Sequence, residues 1–253
     1  MNAIAFLKKK FAAKTGSGDK PAVDKFGLNI GSFVSISAGV FACMDESLIS
    51  NLRIDMLKVA AVSRVRLENS DLEIRRYYLD WYYTGSTGPR PGVVYLQIMG
   101  SFAESAIYSI NKQVLQTHPQ DEEELLSYQG RGYGLGESVY TLADQHAVPE
   151  GMPEMSAAIA DGLVYQRDLD GGDYVRPLSA VEEMIFDSEG ASGLKQALRF
   201  APYCRSLPVV KDPERLTISL VTGISKNHQP SSECRVDFFA GIDVPVSKIQ
   251  IIA

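Results

Sequence analysis

The chain has 253 residues, 45% of them hydrophobic, and 25 Lys+Arg against 31 Asp+Glu give a formal net charge of −6. That apolar share excludes a disordered chain and supplies material for a real core, and no run approaches the ~18 uninterrupted apolar residues of a membrane-spanning helix. Three widely spaced cysteines, Cys43, Cys204 and Cys234, with no Cys-x-x-Cys pair, argue against a disulfide framework or structural zinc and point to the reducing cytoplasm.

Residues 1–22 read as a basic amphipathic tail and linker. Ile4, Leu7 and Phe11 form one helical stripe, Lys8, Lys9, Lys10 and Lys14 surround it, and a Gly/Ser/Pro break follows. The lysines come after the apolar residues, the reverse of a secretory signal. A β-rich domain is expected over 23–253, either single or as two subdomains meeting near 119–155. Strands are expected over 28–36, 53–67, 71–83 and 93–99, the last two as a hairpin whose Gly/Pro-rich tip is Thr84–Gly92. Residues 106–116 continue the pattern. The acidic run after Pro119 then signals a helix start, and Gly130–Gly136 its end. Strands return over 160–167, 174–178, 215–221, 234–244 and 247–252. Runs of strands with one or two short helices and an N-terminal helical tail imply an α+β, mainly β fold with antiparallel sheets, sandwich or barrel-like.

Charge is unevenly spread. Residues 121–190 hold 3 Lys+Arg against 16 Asp+Glu, whereas residues 1–120 hold 14 against 10. So acidic a middle repels phosphate backbones, which excludes nucleic acid as its partner; it suits a solvated face, a basic protein partner or a second copy of the chain. The basic tail over residues 1–14 would allow peripheral contact with an anionic membrane, or it packs on the domain.

No coherent catalytic set stands out. Gly130-Arg-Gly-Tyr-Gly-Leu-Gly136 puts its glycines at every second position and lacks the strand–turn–helix setting of a phosphate loop, so a helix C-cap explains it better. Asp168, Asp170 and Asp173 lack the spacing of a calcium loop and read as a turn. His118, His146 and His228 lie far apart. No catalytic residue, metal ligand or cofactor is assigned. The densest recognition cluster is Arg75, Arg76, Tyr77, Tyr78, Asp80 and Trp81, where arginine forks and aromatic rings stand together. On a strand, Arg75, Tyr77, Leu79 and Trp81 share one face and Arg76, Tyr78 and Asp80 the other. The cluster is a candidate binding site, or a core strand with paired arginine and aspartate.

At Arg76–Asp80, Leu96–Ile98, Leu163–Arg167 and Gly241–Pro245 the chain resembles a bacterial family of unknown function. The resemblance covers about residues 25–253, and Trp81–Val94 stands as an insertion against it. It implies a cytoplasmic protein, peripheral at the inner membrane if its tail engages lipid. The implied gene neighbours are phage-shock-type membrane-stress proteins and an ATP-grasp ligase; no activity or site residue is implied. The reading that results is a non-enzymatic interaction or accessory protein of a bacterial envelope or stress system. The alternative is an enzyme or small-molecule binder with its site around Arg75–Asp80.

Overall fold

A computed structural model describes residues 27–252 apart from 43, 45, 81, 86, 87, 92, 101–105, 143–161, 186–191 and 225–229. The basic tail, Trp81, Cys43, His146 and His228 lie outside the described residues.

The chain is mainly β, and every strand pairing described is antiparallel. In order the elements are β1 (Phe33–Ile36), β2 (Leu57–Leu67), β3 (Glu73–Leu79), β4 (Tyr82–Gly85), β5 (Gly88–Pro91), β6 (Val94–Gly100) and β7 (Ile107–Thr117). Helix α1 (Glu122–Gln129) follows, then β8 (Val139–Leu142), β9 (Leu163–Arg167), β10 (Leu178–Ile185), β11 (Ser192–Arg205), β12 (Glu214–Ile224), β13 (Pro230–Asp243) and β14 (Ile249–Ile252). Eight strands close into a barrel in the order β2-β3-β6-β7-β13-β12-β11-β10, because β10 pairs with both β11 and β2. The barrel is two four-stranded meanders joined edge to edge. Closure leaves no open edge within it.

Two long strands change partners along one edge. Strand β2 gives its start, Leu57 and Lys58, to β1 and its end, Val62–Leu67, to β10. A bulge between Val59 and Ala61 accompanies the switch. Strand β11 likewise serves β10 up to Phe200 and β9 at Tyr203 and Cys204. The ribbons β14–β1 and β9–β8 thereby peel away on either side of β10.

Alternation, interrupted at bulges such as those in β2 and between β7 and β13, sorts side chains between lumen and outer wall. The larger apolar core lies on the outer wall. Tyr77, Leu96, Ile110, Leu216, Ile218 and Phe238 pack there against Val34, Ile36, Ile49, Leu52 and Ile54 of the segment before β2, and against Tyr128 and Tyr165. A smaller cluster that includes Val65, Ile74, Leu178, Leu198 and Phe200 sits inside the barrel.

Helix α1 starts two residues later than the acidic signal after Pro119 suggests. Asp121 is its N-cap and accepts from the Glu124 amide at 2.8 Å, while the Gln120 amide donates to the Glu124 carboxylate at 2.7 Å. Gly130 ends the helix in the left-handed region at φ 63°, where a Cβ would stand 2.3 Å from Pro177. Several expected strands shrink. Only Phe33–Ile36 of residues 28–36 is strand, and Tyr174 makes an isolated bridge to Glu137 while the strand itself begins at Leu178. Pro177, without an amide hydrogen, marks that boundary.

Candidate functional site

Strand β3 delivers the recognition cluster to two opposite places. Arg76 and Tyr78 enter the lumen together with Ile74, and Arg75, Tyr77 and Leu79 face outward. Tyr77 is fully buried in the outer core. Arg75 stays on the surface side, 2.5 Å from Glu73 two residues away. Asp80 is exposed at the strand end, where its amide donates to the Lys58 carbonyl at 2.8 Å.

Inside, Arg76 meets Glu182, which β10 carries on the stripe Leu178, Ala180, Glu182, Met184. The Glu182 carboxylate accepts four hydrogen bonds. Ser63 and Tyr78 (2.8 Å) donate to Oε1, and Arg76 Nη1 (3.2 Å) and Gln196 (2.8 Å) donate to Oε2. Arg76 is fixed in turn by Gln97, which accepts from its Nε at 3.1 Å, and by the Tyr95 ring, whose centroid lies 4.9 Å from the guanidinium carbon. Next to this unit, Asp237 accepts from Arg235 at 3.0 Å and from Gln113 at 3.1 Å, and Arg235 reaches Gln196 at 3.3 Å. Seven strands thus contribute to one polar network, which only barrel closure can assemble.

The titration behaviour follows from this packing. Burial alone would raise the Glu182 carboxyl, but Arg76 and the donors around it outweigh that and hold it below the ordinary value. Asp237 is raised by burial, more than Arg235 restores. Tyr95 is pushed up to about 12 by burial, and Tyr78 is raised by burial and by the neighbouring Glu182 charge, so both stay neutral phenols. With its four lone-pair directions in use, Glu182 has none left to take a proton from a substrate. The network suits binding better than acid–base chemistry.

Open space flanks Arg76 along the barrel axis. Toward the Tyr78 end lies a cavity of about 210 Å³ bordered by Tyr78, Gln113, Glu182, Gln196, Ser219 and Arg235. Toward the Ile74 end lies one of about 80 Å³, and all eight barrel strands contribute to its walls. Arg76 lines both and stands between these two compartments. For scale, about 150 Å³ is enough to admit benzene.

Asp168, on the turn Asp168–Asp173, lines the smaller compartment. Arg167 clamps that turn by donating to the carbonyls of Gly136 (2.5 Å) and Gly172 (2.6 Å). Arg215 bridges Asp168 to Asp243, with 2.9 and 2.7 Å contacts to the latter. Among the described residues no group of three His, Cys, Asp or Glu is placed to hold a metal ion. His118 is exposed, with Nδ1 3.0 Å from the Cys234 carbonyl.

Sequence reasoning missed Glu182, Gln196, Arg235 and Asp237. A signal existed for Glu182: a carboxylate on an otherwise apolar stripe of a strand has to find a buried partner. Comparison of the chain with protein-family models, with curated proteins and with solved structures gave no match.

Proposed function

We propose that this chain is a non-enzymatic binding protein that holds a small organic molecule inside its barrel. The observation that carries this reading is the pair of lumen cavities on either side of the Arg76–Glu182 unit, walled by groups that offer both hydrogen bonds and apolar contact. Convergent polar groups in an enclosed cavity are the usual form of a ligand site, and small eight-stranded barrels have room for one ligand. The saturated Glu182 carboxylate argues for retention of the ligand rather than its turnover.

Adjacent lumen positions on β12 give the test. Thr217 lines only the smaller compartment and Ser219 only the larger. Thr217→Leu and Ser219→Leu each add apolar bulk to one compartment. Wild-type protein, screened against a metabolite collection by thermal shift and native mass spectrometry, is expected to retain at least one compound, and one of the two variants is expected to lose it. If nothing is retained, the reading fails.

A second reading, docking of a protein partner, is favoured by the outer wall of β2 and β10, where among the described residues Arg64 and Arg66 are exposed beside Glu183. Such a partner would fit the membrane-stress setting that the family resemblance implies. A pull-down that depends on Arg64 and Arg66 tests it; unaltered recovery after their replacement by alanine removes it.

A further inference from the structure

The smaller compartment has two unlike walls. Leu67, Ile74, Met99, Ile107, Leu178 and Phe200 make one side apolar, and Ser109, Asn111, Thr217, Arg215 and Asp243, from the adjacent strands β7, β13 and β12, make the other polar. The polar side is short of positive charge. Arg215 is shared between two carboxylates, Asp168 and Asp243, and Arg76 at the inner end is committed to Glu182. One negative charge is therefore left over at this end.

Asn111 supplies a second and independent sign. It is only 4% exposed, and its amide nitrogen donates to the Ser109 carbonyl at 3.3 Å and hydroxyl at 3.1 Å. Its carbonyl oxygen Oδ1 takes no hydrogen bond among the described residues, yet it is not one of their sealed, unsatisfied atoms. It lies over Gly241, where a Cβ would stand only 2.4 Å from it, so the missing side chain of Gly241 is what lets the carboxamide reach into the lumen. A buried acceptor open to a cavity needs a donor to fill it.

We propose that this compartment binds a small primary alkylamine as its ammonium ion, the head between Asn111 Oδ1 and Asp243 and the tail along the apolar wall. The three N–H donors of an ammonium match the unfilled acceptors, and its charge cancels the surplus. A carboxylate ligand would face Asp168 and Asp243. At roughly 10–15 Å³ per water, the cavity of about 80 Å³ has room for about half a dozen waters or an amine with a comparable number of heavy atoms. The inference rests on the small-molecule reading above and narrows it to one class.

The test titrates the full chain near neutral pH with n-pentylamine, 1-pentanol and pentanoate, which share a tail and differ in head charge. The amine is expected to bind at least about tenfold more tightly than the alcohol, with pentanoate the weakest. Asp243→Asn, or the more peripheral Asp168→Asn if the first melts early, is expected to erase the advantage of the amine over pentanol while leaving pentanol binding in place. Thr217→Leu is expected to block all three. Pentanoate binding as tightly as the amine, or an unchanged amine-to-alcohol ratio in both asparagine variants, would overturn the proposal. If none of the three binds but a compound from the metabolite screen does, the amine class fails and the lumen reading stands; if nothing binds, both fail.

Discussion

Two buried glutamates, one inside the barrel and one outside it, have nearly the same surroundings. Glu182 in the lumen accepts from a serine, a tyrosine, an arginine and an amide. Glu214 on the outer wall accepts from Ser47 (2.6 Å), the Leu48 amide (2.7 Å), Tyr165 (2.8 Å) and Arg205 (2.6 Å). Each arginine also lies over a tyrosine ring, Arg76 over Tyr95 and Arg205 over Tyr165. The difference lies in what surrounds each site. Glu214 is fully buried and ties the segment before β2 to the barrel wall, with Arg205 also bonded to the Glu46 carbonyl. Glu182 borders open space. Closely similar hydrogen-bond chemistry serves as a fastening where the core is filled, and as the wall of a site where it is not.

The largest effect that sharpens this contrast is expected from Arg76→Met. It strands Glu182 without its cation, and about 3–5 kcal/mol of stability is lost by chemical denaturation. The double variant Arg76→Met, Glu182→Leu removes both charges and is expected to regain most of that loss while joining the two compartments. Failure to regain it would mean that the lumen depends on this charge pair for its packing.

Next in size is a pH effect on the outer wall. Lys112 is 1% exposed, bonds Asn51 at 2.9 Å, and is lowered by burial from 10.5 to about 8. Between those values the unfolded chain binds more protons than the folded one, so stability rises with pH across that window. The change reaches about 3 kcal/mol at most. Denaturation midpoints of the wild type measured against Lys112→Met isolate this contribution, and parallel pH profiles would refute it.

Smaller again, Tyr78→Phe and Tyr165→Phe each remove one hydroxyl from one glutamate, at about 1.5–3 kcal/mol apiece. Only Tyr78→Phe is expected to alter ligand retention in the larger compartment; equal effects of the two on binding would erase the distinction between fastening and site. The smallest effect is expected from Ile218→Val in the outer core, about 0.5–1.5 kcal/mol with ligand retention unchanged.

Much of the barrel was legible before the structure. Alternation on 215–221 and 234–244 marks β12 and β13, and the split of Arg75, Tyr77 and Leu79 from Arg76, Tyr78 and Asp80 follows from the period of two on β3. Strands β10 and β11 were not legible. Their lumen stripes carry Glu182 and Gln196 among apolar residues, which blurs the apolar–polar contrast that periodicity depends on. The turn-rich tip over 84–92 overlaps the short β4–β5 hairpin, whose Gly and Pro content disguises strand pairing.

Local sequence determined which residues share a face, where α1 is capped by Asp121 and closed by Gly130, and that the chain is built from antiparallel strands. Those features depend on neighbours a few positions apart. Which face turned inward, and that Arg76 would meet Glu182 across 106 positions, was decided only when β10 paired with β2 and shut the barrel. A closed sheet has an inside and an outside that no single strand can specify, because each strand carries two faces and closure alone selects between them.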